Sequence, residues 1–154
     1  MLSEHFSLEE IIKSQTASRL GLNNTPTEEQ INKLQYLCNN ILEPLRRAFN
    51  KPIIITSGFR SECLCEAIGS SKNSQHAKGE AVDLEIIGVS NKKVSDWIDN
   101  NCDYDQLILE YHTPNEPNSG WVHVSLKEQN NRKQYLFCYK ENDKTIYKPI
   151  GEYL

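Results

Sequence analysis

The stretch Ser74-Gln75-His76-Ala77-Lys78-Gly79-Glu80-Ala81-Val82-Asp83 changes character halfway along. Up to Gly79 it reads as polar loop. From Ala81 to Ile86 the residues alternate, with Val82, Leu84 and Ile86 on one face and Ala81, Asp83 and Glu85 on the other, the period of a half-buried strand. A histidine therefore sits in a loop, a glycine permits a tight turn, and an aspartate stands on the strand face that the core leaves open. The loop can fold back so that imidazole and carboxylate approach one point.

Upstream of this stretch the chain is helical. Ser7-Leu8-Glu9-Glu10 is a capping box with Phe6 placed to staple onto Ile11, and this first helix is short because Lys13 to Ser18 carries no apolar stripe. Thr27-Glu28-Glu29-Gln30 is a second box. It opens an amphipathic helix through Ile31, Leu34, Leu37, Cys38, Ile41, Leu42, Leu45 and Phe49, which Pro44 should kink or break near its end. Ile53-Ile54-Ile55, between Pro52 and Ser57-Gly58, predicts a buried strand, and Ser61 to Ile68 two helical turns ending at Gly69. Downstream, Ser90 caps a helix carrying Val94, Trp97 and Ile98. Tyr104–Tyr111 and Trp121–Leu126 read as strands joined by a Pro- and Asn-rich loop, and Gln134–Tyr139 with Thr145–Pro149 as a hairpin around Asn142-Asp143. Helices first and strands last predict an α+β fold, N-terminal helices packed on a mostly antiparallel sheet.

Composition narrows the function classes. The 154 residues suit a single domain, 1–154, large enough to bury its own core. A net charge of −4 offers no basic footprint for nucleic acid, and no apolar run approaches the ~20 residues of a membrane span. The N-terminus lacks the pattern of a signal peptide, so synthesis in the cytoplasm is expected; reaching a cell wall would then require lysis or non-classical export. Five cysteines at irregular spacing fit free thiols better than a disulfide framework.

A second histidine lies forty residues on, in Gly120-Trp121-Val122-His123-Val124-Ser125. Val122, Val124 and Leu126 form the apolar face there, so His123 shares the other with Trp121 and Ser125. Two imidazoles and one carboxylate (His76, Asp83, His123) are a zinc ligand set with one open position, and harder cations would want mostly oxygen. Spacing alone leaves other readings open: His76 as a solvated loop residue, His123 as a hydrogen-bonded residue at a sheet margin, Asp83 as a cap or the partner of a lysine.

The pattern S-x-H-x-x-G-x-A-x-D, with W-x-H much later, resembles the zinc D-Ala-D-Ala carboxypeptidase family. That family includes the vancomycin-resistance D-Ala-D-Ala dipeptidases and several phage endolysins, and shares its fold with the hedgehog signalling domain. Ile53–Arg60 is similar to the family's strand followed by SGYR. Asp105-Gln106-Leu107-Ile108 with Glu110, and the opening Phe6–Glu10, resemble its short phage and bacterial branch. The likeness spans about residues 5–126 and leaves 127–154 as a C-terminal β-hairpin extension. It implies one Zn2+ per chain, held by His76, Asp83 and His123. It further implies an Arg60 that grips a substrate carboxylate or stabilises the oxyanion, and a Ser74 that contacts substrate or holds its own loop. Trp121 and His112 are further expected substrate contacts.

The general base is less determined. The dipeptidases carry a glutamate three residues before the last histidine ligand, where this chain has Gly120, and the family's asparagine near Cys65 is also missing. Glu110, His112 and Glu116 are the candidates. Pairing the two strands about a loop centred near Pro117 sets Glu110 opposite His123, which favours Glu110. The Thr113–Ser119 loop is expected to border the cleft and influence substrate choice. The resemblance thus implies a metallopeptidase that cuts peptidoglycan stem peptides with metal-activated water, as a D-Ala-D-Ala carboxypeptidase or an L-Ala-D-Glu endopeptidase. The alternatives are a catalytically inactive zinc-bearing binding module of the same fold and a cysteine amidase using one of the five thiols.

Overall fold

A computed structural model describes residues 1–153. Two capping boxes form as their sequences require. Ser7 Oγ accepts from the Glu10 N–H while Glu10 reaches back to the Ser7 N–H, starting α1 (Leu8–Ile12). Thr27 and Gln30 do the same for α3 (Glu28–Leu37). Between them lies α2 (Gln15–Leu20), capped by Ser14 and not anticipated, since only Ala17 of its residues is buried and no apolar stripe announces it. Pro44 breaks the long helix in a particular way. It lacks the N–H that the ladder needs, and the chain takes a π turn over Cys38–Leu42, with the Glu43 N–H reaching Cys38, before α4 (Glu43–Phe49) resumes.

The described residues form six strands, β1 (Ile54–Ser57), β2 (Ala81–Glu85), β3 (Gln106–Glu110), β4 (Trp121–Ser125), β5 (Gln134–Glu141) and β6 (Lys144–Pro149). They run in the order β1-β2-β4-β3-β5-β6, every pair antiparallel except β3 with β5. The α+β class with a mostly antiparallel sheet is therefore the observed one. The β5–β6 hairpin turns on Asn142 and Asp143, both in the left-handed region, as a two-residue turn matched to strand twist demands. β1 departs from expectation. It is an edge strand, and Ile54 is 37% exposed; Ile53, ahead of the strand, is buried in the core, and Ile55 packs against it half-buried.

One face of the sheet presents Val82, Leu84, Val122, Val124, Leu107 and Leu109 to the helices, where they join Leu34, Leu37, Ile41 and Leu45 in one apolar cluster. The connecting helices are α5 (Glu62–Ala67) and α6 (Asn91–Asn101). Ser90 occupies the α6 N-cap without a capping hydrogen bond. Asn91 does the anchoring: its N–H donates to the Pro117 carbonyl (3.0 Å) and its side-chain amide to Ser119 (3.0 Å) and Gly120 (3.2 Å). Among the described residues no helix is long and apolar enough to cross a membrane.

Candidate active site

The sheet face turned away from the helices carries the chemistry. β2 and β4 pair so that Asp83 stands directly opposite His123, which brings residues forty positions apart to one spot. His76 arrives from the loop before β2, and that loop is fastened by the Ser57–Arg60 segment. The His76 Nδ1–H donates to the Gly58 carbonyl (2.8 Å), and the Arg60 N–H donates to the His76 carbonyl (3.2 Å). With Nδ1 committed to a carbonyl, Nε2 keeps its lone pair and faces Asp83 Oδ1 at 3.4 Å; His123 Nδ1 lies 3.0 Å from the same oxygen. Gly58 is needed for close approach. A Cβ there would lie 2.1 Å from the Ile11 carbonyl oxygen, to which Phe59 N–H also donates.

All three side chains are buried, and their donor atoms fall within 4.8 Å of one another. Burial by itself raises the Asp83 carboxyl, but the two imidazoles against it, His123 and His76, override that and hold the group well below the usual carboxylate range. Asp83 is thus an anion at neutral pH. Two imidazole nitrogens and a carboxylate oxygen fit zinc, where magnesium or calcium would call for a shell of oxygens.

The three open onto a cavity of about 590 Å³ whose lining includes Arg60, Ser74, Glu110, Trp121 and Tyr147. Glu110 shares the ligand face, but the register differs from expectation. It pairs with Trp121, while Ile108 pairs with His123. The ladder stops at Glu110–Trp121 because Tyr111 and Gly120 both turn into the left-handed region. Glu110 is therefore the diagonal neighbour of His123, at about 7–8 Å by strand geometry. Its carboxylate accepts the Trp121 indole N–H. Burial first, and then the charge of Asp83, raise its pKa, only partly opposed by His123, Trp121 and Arg60. Gly120 itself cannot host the glutamate of the dipeptidases: at φ +67°, its Cβ would fall 1.9 Å from the Glu110 carbonyl oxygen. The carboxylate that lines the cavity from the neighbouring strand is that of Glu110.

Arg60 is half-buried, and its Nε is buried without a hydrogen-bond partner. Ser74 Oγ accepts the His76 N–H (3.2 Å), so it holds its own loop as well as lining the cavity. Trp121 orients Glu110 and packs on Tyr111 at a centroid distance of 5.2 Å.

Two expectations are corrected. His112 does not line the cavity. The left-handed Tyr111 turns it toward Tyr153, to which its Nδ1 is hydrogen-bonded, on the side where Phe137 packs against the core. Glu116 and the Thr113–Ser119 loop also lie away from the cavity, because Asn91 ties that loop to the start of α6.

The sequence reading passed over Asp105, Gln75 and Arg132, which form a charged network at one end of the cavity, and over Tyr147 at its wall. Asp105 was visible only as part of a strand motif. An acidic residue beside an apolar run gives no sign of which cation will cover it.

All five cysteines are free. No cysteine lines the cavity, and burial pushes the Cys138 thiol, behind Glu110, up to about 12.

A pair of imidazoles and an anionic carboxylate open to a cleft, with a second carboxylate of raised basicity beside them, defines the class of metal-dependent hydrolases. A family model described as Peptidase M15 matches residues 4–125, and the chain belongs to that family of zinc metallopeptidases related to the D-Ala-D-Ala carboxypeptidases. A search of curated proteins gives no match.

Proposed function

We propose that the chain is a zinc-dependent peptidase that hydrolyses amide bonds in peptidoglycan stem peptides, as a D-Ala-D-Ala carboxypeptidase or an L-Ala-D-Glu endopeptidase. The observation that carries this reading is the convergence of His76, Asp83 and His123 on one point of an open cavity, with Glu110 on the same sheet face.

His76 Nε2, Asp83 and His123 would hold the metal. A zinc ion held there would supply Lewis acidity and so make water easier to deprotonate near neutral pH. Glu110 takes the proton from the attacking water and delivers it to the leaving amine; its raised pKa brings it nearer the working pH than an ordinary glutamate. The Trp121 indole fixes which way that carboxylate points. The unpartnered Arg60 guanidinium meets a carboxylate of the substrate or the oxyanion that develops during attack. The substrate lies in the cleft between the His76 loop and the Tyr111–Tyr147 wall.

A binding module without turnover would have no use for a carboxylate of raised basicity beside its metal ligands, and Glu110 therefore supports catalysis. A thiol amidase would need a cysteine in the cavity, and none lines it. The test is hydrolysis of purified cell walls and of synthetic stem peptides, followed as released D-alanine or stem-peptide fragments. Wild type should release one of these, with loss on chelation and return on adding zinc. Bound zinc with no release from any substrate would favour the binding module.

A further inference from the structure

Asp105, just before β3, borders the cavity but touches none of the three candidate ligands. It is fully buried, and both of its oxygens are engaged. Arg132, ahead of β5 and beyond the segment matched by the family model, grips it with a fork: Nε to Oδ1 at 3.1 Å and Nη2 to Oδ2 at 2.8 Å. The Arg132 backbone N–H adds a third bond to Oδ1 (3.0 Å), and the Lys127 amine lies 3.5 Å from the same oxygen. The charge of Asp105 is thus already covered from one side.

Its other connection reaches into the candidate metal loop. Gln75 Nε2 donates to Asp105 Oδ2 at 2.7 Å, and Gln75 is the residue immediately before His76. The Gln75 carbonyl accepts from the Lys78 and Glu80 N–H groups (3.2 and 3.0 Å), closing the turn that carries His76. The loop is therefore held at three places: the Gly58–Arg60 segment fixes His76 itself, Gln30 Nε2 donates to the Ala77 carbonyl (3.1 Å) just after it, and Asp105 fixes the residue before it.

We infer that Arg132 is a positioning residue for the metal centre, acting through Asp105 and Gln75 to set where His76 Nε2 meets Asp83. The inference rests on the metal reading above and extends it to a part of the chain outside the family match. Arg132 keeps the Asp105 carboxylate in one place, and a charged acceptor gives the Gln75 amide a stronger anchor than a neutral one would. Without the fork, the acceptor for Gln75 moves and the loop loses the fixed point that precedes His76.

The test is zinc affinity, by competition with a chromogenic chelator, together with the visible absorption of the cobalt-substituted protein. Wild type, Gln75→Leu, Arg132→Ala and the double variant are compared. Gln75→Leu leaves the Arg132–Asp105 pair intact, so the metal-free protein should remain folded with a modestly lower melting temperature, while zinc binds about tenfold more weakly and the cobalt bands shift. Arg132→Ala should weaken zinc at least as much. The double variant should bind no more weakly than Arg132→Ala alone, since the two residues act in series. If Arg132→Ala does not fold, Gln75→Leu alone decides. Wild-type affinity and spectrum in Gln75→Leu would overturn the inference, as would additive losses in the double variant. A wild type that binds no zinc would instead overturn the metal reading, and the inference with it.

Discussion

Two clusters in this protein place histidine against carboxylate, and they are built to opposite ends. Near the N-terminus, Glu43 is buried, and its oxygens accept from Ser3 Oγ (2.6 Å), the His5 N–H (2.7 Å) and His5 Nδ1 (2.6 Å). With Glu4 alongside, the residue types would also suit a metal. At the sheet face, Asp83 receives two imidazoles, one of them fixed from behind by a backbone carbonyl, and the group opens onto a cavity. In the first cluster every short contact ties residues 3–5 to the helix that begins at Glu43, although Glu4 and His5 are themselves exposed. In the second all three residues are buried and line a cavity. Donor type alone does not separate a structural anchor from a candidate metal centre; the direction of the lone pairs and the space in front of them do.

Metal content gives the sharpest contrast between the clusters. Elemental analysis of the purified protein should find one zinc per chain. His76→Ala or Asp83→Ala should reduce it to near zero, while Glu43→Ala leaves it at one. Chelation should also lower the melting temperature of wild type, because a ligand at 1,000 times its Kd stabilises by about 4 kcal/mol. Identical melting with and without chelator would contradict the site.

Next in size is Glu110→Gln. Zinc should stay bound, while hydrolysis falls by about 10²–10⁴. Glu110 accepts a proton only when ionised, and its pKa is raised, so the acidic limb of kcat/KM should lie above the ordinary glutamate value. Activity falls as pH falls through that limb, and the limb disappears in Glu110→Gln. A variant that retains both rate and limb would remove Glu110 from the mechanism.

The N-terminal cluster should answer in stability instead. Glu43→Ala breaks charge-assisted bonds at a buried carboxylate and should cost about 2–3 kcal/mol, read by denaturant unfolding, without effect on zinc. Burial raises the Glu43 carboxyl, and the bonds from Ser3 and His5 more than reverse that, so the folded pKa is depressed. The contribution is therefore complete above the ordinary carboxylate pKa and is lost as pH falls from there through the depressed value. Glu43→Gln should flatten that part of the acid-unfolding profile. The smallest effect is expected at Glu116→Ala, on the exposed loop pinned to α6, with changes in stability and in kcat/KM within about 0.5 kcal/mol.

What could be read without coordinates was whatever chemistry acts over a few residues. Both capping boxes, the Asn142-Asp143 turn and the Ser61–Gly69 helix depend on contacts three or four positions apart, and they form as expected. Strand parity also put Asp83 and His123 on the face that the core leaves open. Features decided by distant partners were harder to read. The hairpin register differs by two residues, which keeps Glu110 on the same face, because two left-handed residues end the ladder at Glu110–Trp121. β1 is an edge strand because no further strand among the described residues covers it. His112 and the Thr113–Ser119 loop were placed by proximity in sequence, whereas Tyr111 and Asn91 turn them away from the cleft. The Arg132–Asp105–Gln75 chain joins three segments, and no spacing rule connects them.

The most direct measurement is anomalous diffraction at the zinc edge from crystals of the full chain grown with zinc. A single strong peak is predicted within bonding distance of His76 Nε2, Asp83 and His123, with none at Glu4, His5 and Glu43. A peak at the N-terminal cluster alone, or no peak beside Asp83 in zinc-loaded crystals, would contradict the account.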